Sequence, residues 1–202
     1  MKLNIGAILL TGGLSSRMGQ PKALLPWGTS NVLEHLIKTI KDAGITQLTI
    51  VTGAHHKAIA QGSQKTAPYL CYNSNWERGM GTSIHAGVVD LFHRFQALDA
   101  ILILLIDQPL ITAVYLEQML KQFEKGRYNL IASRYNNNLG APALFGKTYF
   151  KSLQNLPENE GAKALIRNTT SKIFICDAAL IGADMDTLEA YYRLKKNFDQ
   201  SL

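Results

Sequence analysis

Apolar runs of strand length alternate along this chain with segments of helical period, the order expected of a mainly parallel sheet covered by helices. Residues 5–10 open the series with six apolar or small positions and predict a fully buried first strand. Residues 31–43 repeat apolar positions every three to four residues. Asn31 is placed to cap that helix, with Glu34 three residues on, and Gly44 to close it. Residues 47–51 read as a second strand, a short helix is expected near 56–60, and 69–72 as a third strand.

Residues 82–95 predict a second long helix, capped by Thr82 or Ser83. Residues 100–106 are the most apolar segment and should be the central strand. Thr112 then caps a helix running to about residue 123. Strands are expected at 130–133 and 141–145, separated by the turn-forming run Asn136-Asn137-Asn138-Leu139-Gly140. Helical segments follow near 147–153 and 161–168, then a strand at 172–176 and a closing helix at 187–197. The sum predicts a Rossmann-like, doubly wound α/β fold with helices on both faces of a mainly parallel sheet. Such sheets gather ligands at the carboxyl ends of their strands.

Length and composition narrow the picture. The 202 residues suit one α/β domain spanning 1–202, with 47% hydrophobic content giving ample material for a core. The net charge of +6 comes from dispersed lysines and arginines. Without a recognition module or interleaved aromatic and basic residues, that charge points to a small polyanion rather than to nucleic acid. Cys71 and Cys176 each lie inside an apolar run and read as buried thiols of a reducing compartment. No stretch reaches the roughly 18 apolar residues of a membrane span, and the first apolar run lacks the features of a signal peptide. A cytoplasmic location and no membrane partner are expected.

The first strand runs straight into Thr11-Gly12-Gly13-Leu14-Ser15-Ser16-Arg17-Met18-Gly19-Gln20-Pro21-Lys22. Glycines let backbone N–H groups approach an anion closely, and Arg17 and Lys22 add fixed charge for phosphate oxygens. Two standard phosphate motifs fail here. Gly146-Lys147-Thr148 would end a P-loop, but Ala141 stands at its first-glycine position. Gly79-Met80-Gly81 would begin a dinucleotide fingerprint, but Ile84 takes the third glycine's place. Asp107-Gln108-Pro109 follows the central strand, where one carboxylate suits a hard cation such as Mg²⁺. His55-His56 lacks further ligands at metal spacing and reads as a loop or helix start.

The segment 10–27 resembles the signature loop of nucleotidyltransferases that read Leu-Ala-Ala-Gly-x-Ser-x-Arg-Met-Gly, with Lys and Leu-Leu-Pro close behind; Lys22, Leu24, Leu25 and Pro26 match that tail. More narrowly, the chain resembles the molybdenum cofactor cytidylyltransferases and their relatives. That resemblance implies the nucleotide-diphospho-sugar transferase-like fold and CMP transfer from CTP to the terminal phosphate of a molybdopterin-type acceptor, with a molybdenum enzyme as a possible recipient. It implies catalytic roles for Arg17, Lys22 and Asp107, and nucleotide contacts from Leu10, Thr11, Gly12, Gly13, Ser15, Arg17 and Lys22. The segment 73–87 matches the family's stretch between the third strand and the next helix, which adds Asn73, Gly81, Thr82 and Ser83 to the nucleotide contacts.

Segments 140–145 and 159–165 resemble acceptor-side motifs, with Ala141 where an aromatic or histidine is usual. Asp184-Met185-Asp186-Thr187 resembles an element before the last helix; Asp184 is the expected second Mg²⁺ carboxylate, and Asp186 a helix cap. Cytidylyl enzymes usually read Ala-Ala-Gly where this chain has Thr11-Gly12-Gly13, a pair more typical of the guanylyltransferases. The spacing from Gly19 to Lys22, the Asp107-Gln108-Pro109 motif and the Gly140 segment favour CTP. GTP, another phosphorylated acceptor, and a cofactor-delivery chaperone without chemistry stay open as alternatives. Arg17 and Lys22 lie closer together than in the enzymes acting on sugar 1-phosphates.

Overall fold

A computed structural model describes residues 3–13, 18–62, 70–135, 137–179 and 181–200. The first strand, β1 (Ile5–Leu10), is buried along its whole length and lies near the middle of a seven-stranded sheet. The others are β4 (Gln47–Thr52), β5 (Leu70–Tyr72), β6 (Ala100–Leu105), β7 (Leu130–Tyr135), β8 (Asn138–Gly146) and β9 (Phe174–Asp177). Two two-residue strands, β2 (Pro26–Trp27) and β3 (Ser30–Asn31), pair as a small separate hairpin that the hydrophobic pattern does not announce.

The sheet order is β5-β4-β1-β6-β8-β7-β9. β8 runs antiparallel to both β6 and β7, while the other pairings are parallel. The chain winds outward from β1 to β4 and β5, then returns to place β6 on the other side of β1. That reversal opens a crevice at the carboxyl ends of β1 and β6, where an open α/β sheet receives ligands.

Alternation along the central strands decides the two faces. Ala7 and Leu9 of β1, with Ala100, Leu102 and Leu104 of β6, join a core with α1 (Val32–Asp42), α4 (Ala113–Glu124) and α7 (Leu188–Asp199). Ile8, Leu10, Ile101 and Ile103 face the opposite core, formed with α3 (Met80–Arg94), α5 (Phe150–Gln154) and α6 (Ala162–Asn168). The short helix α2 (His56–Gly62) adds Ile59 to the first core.

Local chemistry sets most boundaries. Asn31 accepts from the Glu34 N–H at 2.9 Å and Thr112 from Tyr115 at 3.2 Å, so both cap as their sequences predict, whereas the last helix is capped by Thr187, accepting from Ala190 at 3.1 Å, and not by Asp186. Gly44, with φ of 85°, closes α1 in a conformation that a side chain would oppose.

Several boundaries differ from the pattern, three of them with a bearing on the site or the sheet. Helix α3 starts at Met80 rather than at Thr82, with Gly79 (φ 129°) as its cap. The single Thr82 hydroxyl proton is instead shared between the Gly79 and Asn75 carbonyls, at 2.8 and 3.0 Å. β8 begins at Asn138, inside the run read as a turn, because Tyr135 already pairs with Asn138 across a tight hairpin. The last strand begins at Phe174 rather than residue 172. The expected third strand began at residue 69, which lies outside the described residues.

Helix α3 approaches the sheet through Gly87, where a Cβ would come within 2.8 Å of Ile8 Cγ2 and 2.9 Å of Val51 Cγ2. Both neighbours are fully buried. Gly87→Val should therefore lower stability by about 2–3 kcal/mol through overpacking. Urea denaturation measures this; an unchanged midpoint would show that the helix–sheet contact yields easily.

Candidate functional site

The crevice is built from the ends of the central strands. Beyond β1, the Thr11 N–H and hydroxyl both donate to the Val51 carbonyl, at 2.9 and 2.8 Å, and Ile106 N–H donates to the Leu10 carbonyl at 3.1 Å. Those bonds bind the start of the loop to the strands on either side. The two glycines that follow leave room beside the backbone. Among the described residues a Cβ on Gly13 would meet nothing within 4 Å, and one on Gly12 would make ordinary contacts with Ser83 Oγ at 3.4 Å and the Gly53 backbone at 3.7 and 3.9 Å. Their backbone is therefore approachable from the crevice. Ser15 and Arg17 lie outside the described residues.

The chain returns through Met18, 4% exposed, and a single 3-10 turn at Lys22–Leu24 whose Ala23 is buried. Burial of Ala23 and Leu25 holds the turn and aims Lys22 across the crevice. Its ammonium lies 2.7 Å from Asp186 Oδ1 and 3.6 Å from Asp107 Oδ2. Asp107 directly follows β6 and Ile106, and its carbonyl accepts from the N–H of Met185 at 2.8 Å, which draws the segment before α7 over the site.

Burial pushes the Asp107 carboxyl up to about 6; the Lys22 ammonium opposes that shift, and the Asp184 and Asp186 carboxylates add to it. Asp107 Oδ1 is buried with no hydrogen-bond partner among the described residues. A desolvated carboxylate with an unsatisfied oxygen, beside a second carboxylate and a lysine, fits a hard divalent cation that takes its other ligands from phosphate and water. Among the described residues no group of three His, Cys, Asp or Glu side chains forms a fuller cage.

These groups border a cavity of about 670 Å³. Leu10, Thr11, Gly12, Gly13, Lys22, Ser83 and Asp107 all line it, so the fold gathers that part of the expected set into one place. Others are placed differently. Asn73, Gly81 and Thr82 border a second cavity of about 420 Å³. The Asn73 amide nitrogen is already bonded to Thr82 Oγ1 and Ser83 Oγ, at 2.8 and 3.0 Å. Gly79 and Gly81 lie where a Cβ would strike the Glu158 and Pro157 carbonyls at 2.4 and 2.1 Å. Backbone packing against residues 157–159 is thus sufficient reason for both glycines. Segment 159–165 enters the same contact, since a Cβ on Gly161 would meet Met80 Sδ at 2.7 Å.

Of the two C-terminal carboxylates, Asp186 departs from its expected place. Asp186 is not the helix cap, a role Thr187 fills; it lines the cavity and pairs with Lys22. Asp184 accepts from Gln108 Nε2 at 3.0 Å and acts on Asp107 through its charge. Sequence reasoning also passed over His55, Ile59, Trp76 and Glu77 as cavity residues, and all four line it. Trp76 lay inside a segment already singled out for its glycines and hydroxyls. The position of His55, one loop beyond β4, was the only sign of its place.

Residues 7–173 match the family described as the MobA-like NTP transferase domain. The nicotine blue oxidoreductase of Paenarthrobacter nicotinovorans is 26% identical over 94% of this chain and 96% of its own. The molybdenum cofactor cytidylyltransferase of Escherichia coli K12 is 34% identical over 42% of this chain and 44% of its own. A probable molybdenum cofactor guanylyltransferase of Carboxydothermus hydrogenoformans is 53% identical over 19% of each chain. Among solved structures, a Mycobacterium tuberculosis H37Rv protein superposes with a TM-score of 0.83 at 24% identity, covering 97% of this chain and 99% of its own. The fold is that of the nucleotide-diphospho-sugar transferases.

The raised Asp107 carboxyl makes a signed prediction. Its folded-state value of about 6 exceeds the ordinary 3.8, so the folded state keeps a proton through pH 4–6 that the unfolded chain has lost. That contribution to stability is fully present below pH 4, declines as pH rises through 6 and is absent above it. In chelator at pH 7.5, Asp107→Asn should therefore be more stable than the parent by on the order of 1–2 kcal/mol. The gain should shrink towards pH 4. Thermal or urea unfolding across that range checks it, and a variant less stable at pH 7.5 would contradict the desolvation argument.

Proposed function

The chain belongs to the MobA-like NTP transferase family, and we propose that it transfers CMP from CTP to the terminal phosphate of a molybdopterin-type molybdenum cofactor, releasing pyrophosphate. The observation that carries this reading is the convergence of Lys22, Asp107 and Asp186 beside the open Gly12-Gly13 backbone. Transfer of a nucleotidyl group needs alignment and charge neutralisation more than a covalent intermediate on the protein.

An oxygen of the acceptor's terminal phosphate attacks the α-phosphorus and forms the new P–O bond. The bond from that phosphorus to the α,β-bridging oxygen breaks, and its electron pair leaves with pyrophosphate. The acceptor phosphate is already ionised at neutral pH, so no side chain must take a proton from it. The Gly12 and Gly13 backbone, with Arg17 and Ser15 of the same loop, holds the triphosphate; Leu10, Thr11 and Ser83 border the donor beside them. Lys22 balances the charge that develops on the departing phosphates. Asp107 and Asp186 would hold Mg²⁺, which supplies positive charge to the phosphate oxygens when bound. Asp184, engaged by Gln108, supports that pair through its charge rather than from the cavity wall. Asn73, Gly81 and Thr82 serve the donor site by shaping the turn in front of α3.

GTP as donor is favoured by one specific feature, the absence of a side chain at Gly12. A methyl there would extend towards Ser83 Oγ, within the cavity. The likeness to the E. coli cytidylyltransferase over 88 residues and the Gly19–Lys22 spacing favour CTP. A relative named for oxidoreduction makes nucleotide turnover, rather than fold, the readout that matters.

Pyrophosphate release is measured with CTP and with GTP, each with and without molybdenum cofactor. Release is expected with CTP and only when the cofactor is present. Lys22→Ala should lower kcat/KM roughly 100-fold or more, as loss of a charge-stabilising donor does. Asp107→Asn should fall at least as far. No release from either nucleotide in the presence of cofactor would overturn the proposal, and undiminished turnover in Asp107→Asn would remove that carboxylate from the metal site.

A further inference from the structure

The cavity is also lined by an aromatic side chain, Trp76, that charge neutralisation leaves unused. We propose that the indole of Trp76 is the face on which the nucleobase of the bound triphosphate lies, and that the buried Asn73 amide holds it there. This rests on the cavity being the nucleotide site, as proposed above.

The chain has two tryptophans, and their environments separate them. Trp27 is 1% exposed and packs in the core against Phe198, His35 and Tyr191. Trp76 is half-buried and borders the cavity together with His55, Ile59, Thr11 and Gly12. The base of its side chain is clamped beside the phosphate loop. At Gly53 a Cβ would lie 2.7 Å from Trp76 Cβ, 2.8 Å from Trp76 Cγ and 2.7 Å from the Gly12 carbonyl oxygen. Three chain segments meet there with no side chain between them, so the start of the indole and the glycine loop hold a fixed mutual position.

Asn73 supplies the other restraint. It is 4% exposed and its polar groups are committed. Its N–H donates to the Thr52 carbonyl at 2.9 Å and its amide nitrogen to Thr82 and Ser83 hydroxyls. Its amide oxygen accepts from the Asn75 N–H at 2.9 Å. From that anchor the chain enters the 3-10 turn Trp76–Arg78, closed by Arg78 N–H to Asn75 carbonyl at 3.0 Å. Asn73 therefore has no donor left for a base edge. It is a positioning residue for the turn that carries Trp76.

An indole face recognises a π-surface and not a hydrogen-bonding edge, so it binds each base, and a purine over a larger area than a pyrimidine. Lys22 and the glycine-loop backbone of the same cavity then receive the phosphates. Discrimination between cytosine and guanine falls to groups other than Trp76.

The test compares Kd values of the full chain for CTP, GTP and inorganic tripolyphosphate, with Mg²⁺, by titration calorimetry. Trp76→Leu should weaken both nucleotides roughly ten- to a hundredfold, GTP more than CTP, and leave tripolyphosphate within about twofold. Trp76→Phe should restore most of the loss, because it restores a flat ring. The tripolyphosphate arm also reports that the variant's phosphate site is folded. Equal weakening of tripolyphosphate and nucleotides would make Trp76 a scaffold residue and overturn the inference, as would unchanged nucleotide affinity. If the parent chain binds tripolyphosphate but neither nucleotide, the nucleotide reading of the cavity fails, and the stacking falls with it.

Discussion

Asp107 is a carboxylate placed at the carboxyl end of the central strand, where the sheet has already excluded most of the water. Desolvation raises its proton affinity, and two further carboxylates nearby raise it more. Such a group is tolerable because Lys22 reaches across from the first loop and shares its charge between Asp107 and Asp186. The surrounding architecture serves that arrangement. β6 delivers Asp107, the Ala23–Leu25 anchor aims Lys22, and the Met185–Asp107 backbone bond brings Asp186 over the site.

The same arrangement explains why a triphosphate with a divalent cation suits the cavity. Concentrated like charge is unfavourable in a partly dry site unless a ligand of matching charge pattern enters. In the proposed reading a divalent cation would answer the carboxylates, while Lys22 and the glycine backbone would answer the phosphates. The same cavity is lined by Trp76, Ile59 and His55, which offer surface for a flat, less polar group.

Glycines divide into two kinds in this protein. Gly12 and Gly13 line the cavity, and among the described residues a Cβ would meet nothing at Gly13 and make only ordinary contacts at Gly12. Gly53, Gly79, Gly81 and Gly87 face other parts of the chain at distances no Cβ could occupy. A motif of glycines therefore does not by itself distinguish a ligand cradle from a packing contact. The segment 73–87 shows this: its Gly-x-Gly supports residues 157–159, and its tryptophan borders the cavity.

The sequence by itself determined the elements and their order. Buried strands at 5–10 and 100–105, the caps at Asn31 and Thr112, and the glycine-rich loop with Lys22 all follow from residue type and local spacing. These depend on interactions within a few residues, which a linear pattern records. Tertiary structure decided what depends on distant segments meeting. It ran β8 against its neighbours, brought Asp186 rather than Asp184 to Lys22, and turned Asn73 inward while leaving Trp76 at the cavity. Asp184 and Asp186 are chemically alike and two residues apart, so only the path fixed by Met185 on Asp107 could say which carboxylate faces the lysine.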